Sequence, residues 1–254
     1  MKELKDIEKS IQKKYRKEIF SKFIKAVKEF NLIEENDKIA VCISGGKDSF
    51  LLAKCMQELV RHNKFNYEVK YIVMDPGYQK DKLEQIKANA KHLNIPIEIF
   101  ETNIFDIVKD TESPCFLCAR MRRGCLYSKA KELGCNKIAL GHHFNDVIET
   151  ILLNMIYNGK FSGMLPILNS DNYKNMQLIR PLYYIKEKDI ISWVKYTEMN
   201  FIDCACKVTK KNLGKRKEVK ALSYQLTDMY EHADTNILNS MFHVNPNTTF
   251  TDKS

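Results

Sequence analysis

Lys38-Ile39-Ala40-Val41-Cys42-Ile43-Ser44-Gly45-Gly46-Lys47-Asp48-Ser49 is the stretch on which the reading of this chain turns. The first six residues form an apolar run of strand length, set off by the turn signal Asn36-Asp37. Leu51 to Leu59 then repeats apolar residues at helical spacing, so residues 44–49 join a buried strand to a helix. Two adjacent glycines let backbone amides approach an anion with no Cβ in the way. Those amides and the helix N-terminus make a phosphate site. The hydroxyls of Ser44 and Ser49 add donors, and Lys47 adds charge. Asp48 can orient the loop or help hold Mg²⁺. The spacing is neither G-x-x-x-x-G-K-[ST] nor G-x-G-x-x-G. The plainer alternative is an ordinary strand-to-helix turn.

Outward from this loop, Val69 to Met74, Ile97 to Phe100 and Lys137 to Leu140 read as further strands. They alternate with helical patterns over 81–93, 118–133 and 146–157. Such alternation predicts an α/β fold with a parallel sheet covered on both faces. Upstream, Ile7, Ile11, Tyr15, Ile19, Phe23 and Val27 recur every four residues with lysines between them, which predicts one long amphipathic helix. No internal repeat or low-complexity linker interrupts the chain. Three segments are expected: an N-terminal basic helix over 1–36, a nucleotide-binding domain with a cysteine site over 37–206, and a basic C-terminal extension over 207–254.

The 254 residues carry a formal charge of +9, with 44% hydrophobic and 29% charged residues, a composition that favours a folded, soluble protein over a disordered one. Apolar runs such as Ile39 to Ile43 and Met164 to Leu168 are far too short to span a bilayer. The lysine-rich N-terminus lacks the continuous apolar core of a secretory signal, so a cytoplasmic address with no membrane partner is expected. In that compartment the eight cysteines read as metal or cluster ligands or as core thiols, not as a disulfide framework. Positive charge gathers in residues 1–30, in Arg120-Met121-Arg122-Arg123 and in residues 205–220. Each segment alone is compatible with solvated surface; the three together point to a polyanion, and Arg120, Arg122, Arg123, Lys207, Lys210 and Lys211 are the candidate nucleic-acid contacts.

A second motif, Gly141-His142-His143-Phe144-Asn145-Asp146 followed by Val147-Ile148-Glu149-Thr150, stands at another strand-to-helix junction. Asp146 there can bind Mg²⁺ or position a nucleotide. The local alternative makes the two histidines loop residues and Asp146 an N-cap. Cys115-Phe116-Leu117-Cys118 is a C-x-x-C, ambiguous by itself among zinc, redox and cluster use. The later Cys204-Ala205-Cys206 adds soft ligands of the kind that select iron–sulfur, zinc or copper(I). Cys125 lies on roughly the Cys118 face of its helix and can border the site. Cys42, Cys55 and Cys135 read as core thiols.

Ser44-Gly45-Gly46-Lys47-Asp48-Ser49 resembles the PP-loop of the ATP-pyrophosphatase superfamily, whose enzymes transfer AMP to a substrate oxygen and release pyrophosphate. The G-H-H motif resembles that of superfamily members acting on tRNA, with Asn145 where some relatives carry a second carboxylate. Pro114 to Gly124, Asn154 to Tyr157, Met164-Leu165-Pro166, Ile179-Arg180-Pro181-Leu182 and Lys186 to Asp189 narrow the resemblance to the tRNA 2-thiocytidine synthetase (TtcA) family, over about residues 10–210. The resemblance implies a doubly wound, mostly parallel sheet of the adenine nucleotide alpha-hydrolase-like type. It implies ATP bound by Ser44, Gly45, Gly46, Lys47, Asp48, Ser49, Met74, Gly141 and Asp146, with Lys47, Asp48 and Asp146 catalytic. It also implies Mg²⁺ and a [4Fe–4S] cluster on three cysteines, of which Cys115 and Cys118 match the first two. The family's distant pair is C-x-x-C and this chain has C-x-C. Counting from Pro181 gives Cys204 the third position, with Cys206 a rival or a fourth ligand. Four ligands would close the site and suit structural zinc or electron transfer better.

The expected activity is thus an ATP-dependent tRNA sulfurtransferase that adenylates the C2 oxygen of a cytidine and replaces it with sulfur. The expected partners are tRNA, a sulfur donor (a cysteine desulfurase or sulfide) and a second copy of the chain. The alternatives are a PP-loop thiolase acting on another nucleoside such as uridine, and an ATP-binding protein with a structural zinc site. Cluster-bearing uridine thiolases usually carry extra cysteine pairs at both ends, which this sequence lacks.

Overall fold

The computed structural model describes residues 1–62, 66–108, 114–202 and 213–247. By its contacts the chain falls into two units: residues 1–144 with 165–210, and residues 145–164 with 211–254. These units cut across the segment boundaries read from the sequence.

The first unit is built on a six-stranded sheet, ordered β3-β2-β1-β4-β6-β5. Its strands are β1 (Lys38–Ile43), β2 (Glu68–Asp75), β3 (Ile97–Glu101), β4 (Lys137–Ala139), β5 (Ile167–Asn169) and β6 (Gln177–Ile179). All neighbours pair in parallel except β5, which runs antiparallel to β6 at the edge. β1 is buried from Ile39 to Ile43, as an apolar run in a doubly covered sheet must be. The helices of this unit are α1 (Leu4–Gln12), α2 (Ser21–Glu29), α3 (Lys47–His62), α4 (Lys80–His92), α5 (Ile104–Val108), α6 (Pro114–Glu132) and α8 (Glu187–Thr197). Chain order runs outward from β1 to β2 and β3 on one side and to β4 on the other. The crevice beyond the C-terminal ends of β1 and β4 is therefore the switch point of a doubly wound sheet. Both motifs leave the sheet there.

The expected mostly parallel α/β sheet is present, and two local expectations are corrected. The N-terminal segment is not one continuous helix. It turns at residues 13–15, passes through a π-helical turn at Arg16–Phe20, and resumes as α2. Tyr15 N–H donates to Ser10 O at 2.8 Å and Phe20 N–H to Tyr15 O at 3.4 Å, the five-residue spacing of a π turn. The cause is in the repeat itself. On a helix of 3.6 residues per turn, a strict four-residue repeat drifts by about 40° each time. A wider turn brings the stripe back over the core, and Ile7, Ile11, Tyr15, Ile19, Phe23 and Val27 are all buried. The second correction is that α6 begins at Pro114, not Cys118, so the C-x-x-C lies on the helix; proline suits the first helical position.

Two lysines lie inside this unit. Lys54 Nζ meets Glu8 at 2.7 Å and the Leu93 carbonyl at 3.1 Å. Lys137 Nζ meets Asp37 at 2.7 Å and Glu34 at 3.2 Å. Cys42, Cys55 and Cys135 are buried, and burial pushes all three thiols up, which makes them inert core residues.

The second unit contains α7 (Phe144–Asn158), whose first residue belongs to the first unit, with α9 (Leu213–Met229) and α10 (Ala233–Ser240). Among the described residues no helix is long and apolar enough to cross a membrane.

Candidate nucleotide and thiolate site

The loop after β1 is a cradle closed by backbone. Gly45 has φ +89°, and a Cβ there would fall 2.7 Å from Ile202 Cδ1 and 2.9 Å from Ile86 Cγ1, so only glycine fits. Ile202 N–H donates to Gly45 O at 3.1 Å and fixes the loop from outside. Inside, Ser49 Oγ donates to Gly46 O at 2.8 Å and accepts the Ser44 N–H at 3.2 Å. Ser49 thus holds the turn shut. Lys47 Nζ stands 3.1 Å from Asp48 Oδ2 and 3.5 Å from Glu187 Oε1. Glu187 is buried at the first turn of α8, 140 positions from Lys47, and local sequence gave no sign of the pair.

The second motif arrives against this loop. A Cβ on Gly141 would lie 3.0 Å from both Asp48 C and Ser49 N, so this glycine lets two backbones touch. His143 is buried, with Nε2 3.9 Å from Asp48 Oδ1. The bland expectation of a histidine satisfied within its own loop is thereby replaced by one facing the first motif. At the end of β2, Met74 is buried, and Asp75 Oδ1 accepts the Gly77 and Tyr78 amides at 2.9 and 2.6 Å, folding the chain back beside the sheet. A positive φ that glycine supplies, amides at a helix start, a tethered lysine and a second loop packed on the backbone fit the phosphates of a nucleotide.

Cys118 is buried on α6 in a cluster with Met74 and Ile104, and Cys125 packs at its margin as its helix face implied. Cys115 is the second residue of α6. The third and fourth candidates, Cys204 and Cys206, and the basic residues Lys207, Lys210 and Lys211 lie outside the described residues. Cys118 thus sits in an apolar cluster, and among the described residues no three His, Cys, Asp or Glu side chains come together as a metal site.

The three arginines do not act alike. Arg120 and Arg123 are exposed and line a cleft of about 640 Å³ between α6 and the loop joining β5 to β6. Arg122 points elsewhere, its guanidinium 5.5 Å from the Phe105 ring centre.

Within the second unit, Asp146 is the third residue of α7, inside the helix and not its N-cap. Asp146 Oδ1 meets Arg216 Nη2 at 2.9 Å, and Glu149 Oε2 meets Arg216 Nε at 3.4 Å. Burial, then the charge of Asp146, pushes the Glu149 carboxyl up, against the pull of Arg216 and Lys220. Sequence reasoning placed Arg216 only in a basic run and missed the pairing.

Comparison with known proteins agrees with this geometry. The PP-loop domain family matches residues 12–211. The tRNA-cytidine(32) 2-sulfurtransferase of Syntrophotalea carbinolica is 37% identical over 87% of this chain and 87% of its own length. That of Geobacter metallireducens is 36% identical over 92% of both chains. A longer relative of that name from Paraburkholderia xenovorans is 39% identical, and the chain spans 66% of its length. The solved U34-tRNA thiolase NcsA from Methanococcus maripaludis, with its [4Fe-4S] cluster, superposes with a TM-score of 0.72 at 23% identity, over 89% of this chain and 79% of that one, which establishes the shared fold. The chain therefore belongs to the PP-loop family and, within it, to the tRNA-cytidine 2-sulfurtransferase family.

Proposed function

We propose that this chain is an ATP-dependent tRNA sulfurtransferase that converts a cytidine of tRNA to 2-thiocytidine. One observation supports this reading above all: the glycine cradle of residues 44–49 has Gly141 of the second motif seated on its backbone and Lys47 held beside it by two carboxylates.

In this reading the amides of 44–49 and the Lys47 ammonium hold the β- and γ-phosphates of ATP. The C2 oxygen of cytidine attacks the α-phosphorus, and the bond to pyrophosphate breaks. Charge on the departing pyrophosphate is offset by Lys47 and by Mg²⁺, with Asp48 as a proposed ligand. A sulfur nucleophile then bonds to C2 while the C2–O bond breaks, and AMP leaves with the original oxygen. Cys115, Cys118 and Cys204 would hold a [4Fe–4S] cluster, with Cys206 the rival or fourth ligand. With three thiolates, such a cluster supplies one iron open to exogenous sulfur. Glu187 fixes Lys47 in place before the nucleotide enters. Met74 is proposed to sit near the adenine. Arg120, Arg123 and the segment 207–220 hold RNA phosphates. The target base must leave its stack to reach the cradle. Sulfide or a cysteine desulfurase is the proposed donor, a homodimer the proposed assembly and the cytoplasm the proposed location.

The test is mass analysis of tRNA nucleosides after deletion of the gene. Loss of 2-thiocytidine is expected. Unchanged thiolated nucleosides reject the reading, and loss of a thiouridine with 2-thiocytidine intact moves the substrate to uridine. Iron, sulfide and zinc analysis of protein purified without air separates the cluster from a closed zinc site.

A further inference from the structure

The cleft between α6 and the β5–β6 loop shares no lining residue with the glycine cradle of 44–49. The loop 170–176 precedes β6, whose first residue Gln177 pairs with Lys137, the first residue of β4. The cleft therefore opens toward the N-terminal edge of the sheet, opposite the PP-loop. One wall is Arg120 and Arg123, which share a helix face three residues apart. The other wall is Asn169, Asp171 and Asn172. The floor is fixed: the Tyr127 and Tyr173 rings stack with centroids 5.2 Å apart, Tyr173 Oη donates to Gly124 O at 3.0 Å, and Ser170 Oγ accepts the Tyr173 N–H at 3.2 Å. These contacts make the polar loop a built wall on α6.

We propose that this cleft holds an unpaired nucleotide of the RNA substrate, a few positions along the strand from the base that reacts. The inference rests on the sulfurtransferase reading above. Two guanidiniums on one face suit a phosphate. Two amides and a carboxylate opposite suit the donors and acceptors of a base edge, including an exocyclic amine offered to Asp171. A volume of about 640 Å³ suits one nucleotide. The helix also sets the distance. At 1.5 Å per residue, the cleft midpoint near Arg123 and Gly124 lies roughly 8–9 Å along α6 from Cys118. That is about two to three stacked nucleotides at 3.4 Å each. One helix thus carries a thiolate for the reacting base near its start and a contact for a neighbouring nucleotide further along. The β5–β6 loop then becomes a determinant of which tRNA sequence is accepted.

The test compares wild type with Arg120→Ala/Arg123→Ala, with Asn172→Ala on the opposite wall, and with Lys91→Ala on α4 as a surface-charge control. Filter binding to host tRNA over a salt series is the first readout. The double variant is expected to bind at least about tenfold more weakly and to lose about 0.7 from the salt slope, the share of one single-strand phosphate. Its KM for tRNA should rise with kcat and ATP affinity near wild type, and Lys91→Ala should match wild type. Asn172→Ala should change the preference among tRNAs without changing the slope. Ultraviolet cross-linking should join RNA to the peptide containing Tyr173. A folded double variant with wild-type affinity and slope overturns the cleft assignment alone, provided wild type binds and thiolates tRNA. Wild type that binds no tRNA overturns both readings. Binding of free CMP that the double variant loses, with tRNA affinity unchanged, assigns the cleft to a free nucleotide and overturns the RNA assignment.

Discussion

The N-terminal helices carry one set of cations, and the PP-loop and α6 carry another, and the fold partners the two sets differently. In the N-terminal region each named charge finds a partner inside the unit. Lys22 meets Asp189 at 3.2 Å, Lys14 lies 4.3 Å from the Tyr196 ring centre, and Lys25 lies 4.6 Å from that of Tyr184. Beneath them an unbroken apolar stripe is buried, and Tyr15 Oη donates to Ser192 O at 3.0 Å. The buried face of this region is scaffold. Along α6, by contrast, Arg120 and Arg123 face an open cleft, and Lys47 is held yet a quarter exposed beside the glycine cradle. Net charge does not distinguish the two regions. What neutralises each cation does.

The comparison can be broken most strongly at the stripe. Phe23→Ala is expected to cost about 3–5 kcal/mol of stability, read as a lower denaturant midpoint, while the folded fraction keeps its specific activity. Full stability would mean the N-terminal segment is not part of the core. Next comes Lys47→Ala, expected to lower thiolation about 10²–10³-fold with iron content and tRNA affinity unchanged. Normal turnover would remove Lys47 from the chemistry. Glu187→Gln is expected to act through Lys47, raising KM for ATP roughly tenfold with little change in melting temperature; an unaltered KM would make the pair incidental.

The scaffold side also carries a pH signature. Burial pushes the Glu8 carboxyl up, but hydrogen bonds from Arg61 and Lys54 outweigh it and hold it below the ordinary value. Its stabilising contribution is complete above the unfolded value of about 4.3 and is lost as pH falls through the lowered value. Glu8→Gln should therefore be less stable than wild type at neutral pH, with the gap closing on the acid side. A gap independent of pH would deny the ionic role. The smallest effect belongs to Lys22→Ala, at most about 1 kcal/mol, with the tRNA salt slope unchanged. A lowered slope would move the N-terminal lysines to the RNA side of the comparison.

Much of the first unit was legible because its signals are local. β1 is an apolar run between a turn and a glycine pair, and Cys118 and Cys125 share a helix face by spacing alone. What escaped notice depends on distance or on weak patterning. β5 and β6 have three residues each and mixed polarity, below the length at which alternation speaks. Lys47–Glu187 and Asp146–Arg216 join residues far apart in sequence, and only the packed chain pairs them. The π turn is an intermediate case. The strict four-residue repeat from Ile7 to Val27 carries its signal, since no straight α-helix keeps such a stripe on one face, but the same repeat also reads as ordinary amphipathicity.

Purified protein, reconstituted with iron and sulfide without air, should be incubated with ATP, Mg²⁺, a sulfide source and unmodified host tRNA. Pyrophosphate and tRNA nucleosides are then measured together. The account predicts 2-thiocytidine formed only with ATP, one pyrophosphate for each, and both lost in Lys47→Ala. Thiolation without ATP, or pyrophosphate release with no sulfur entering tRNA, would contradict it.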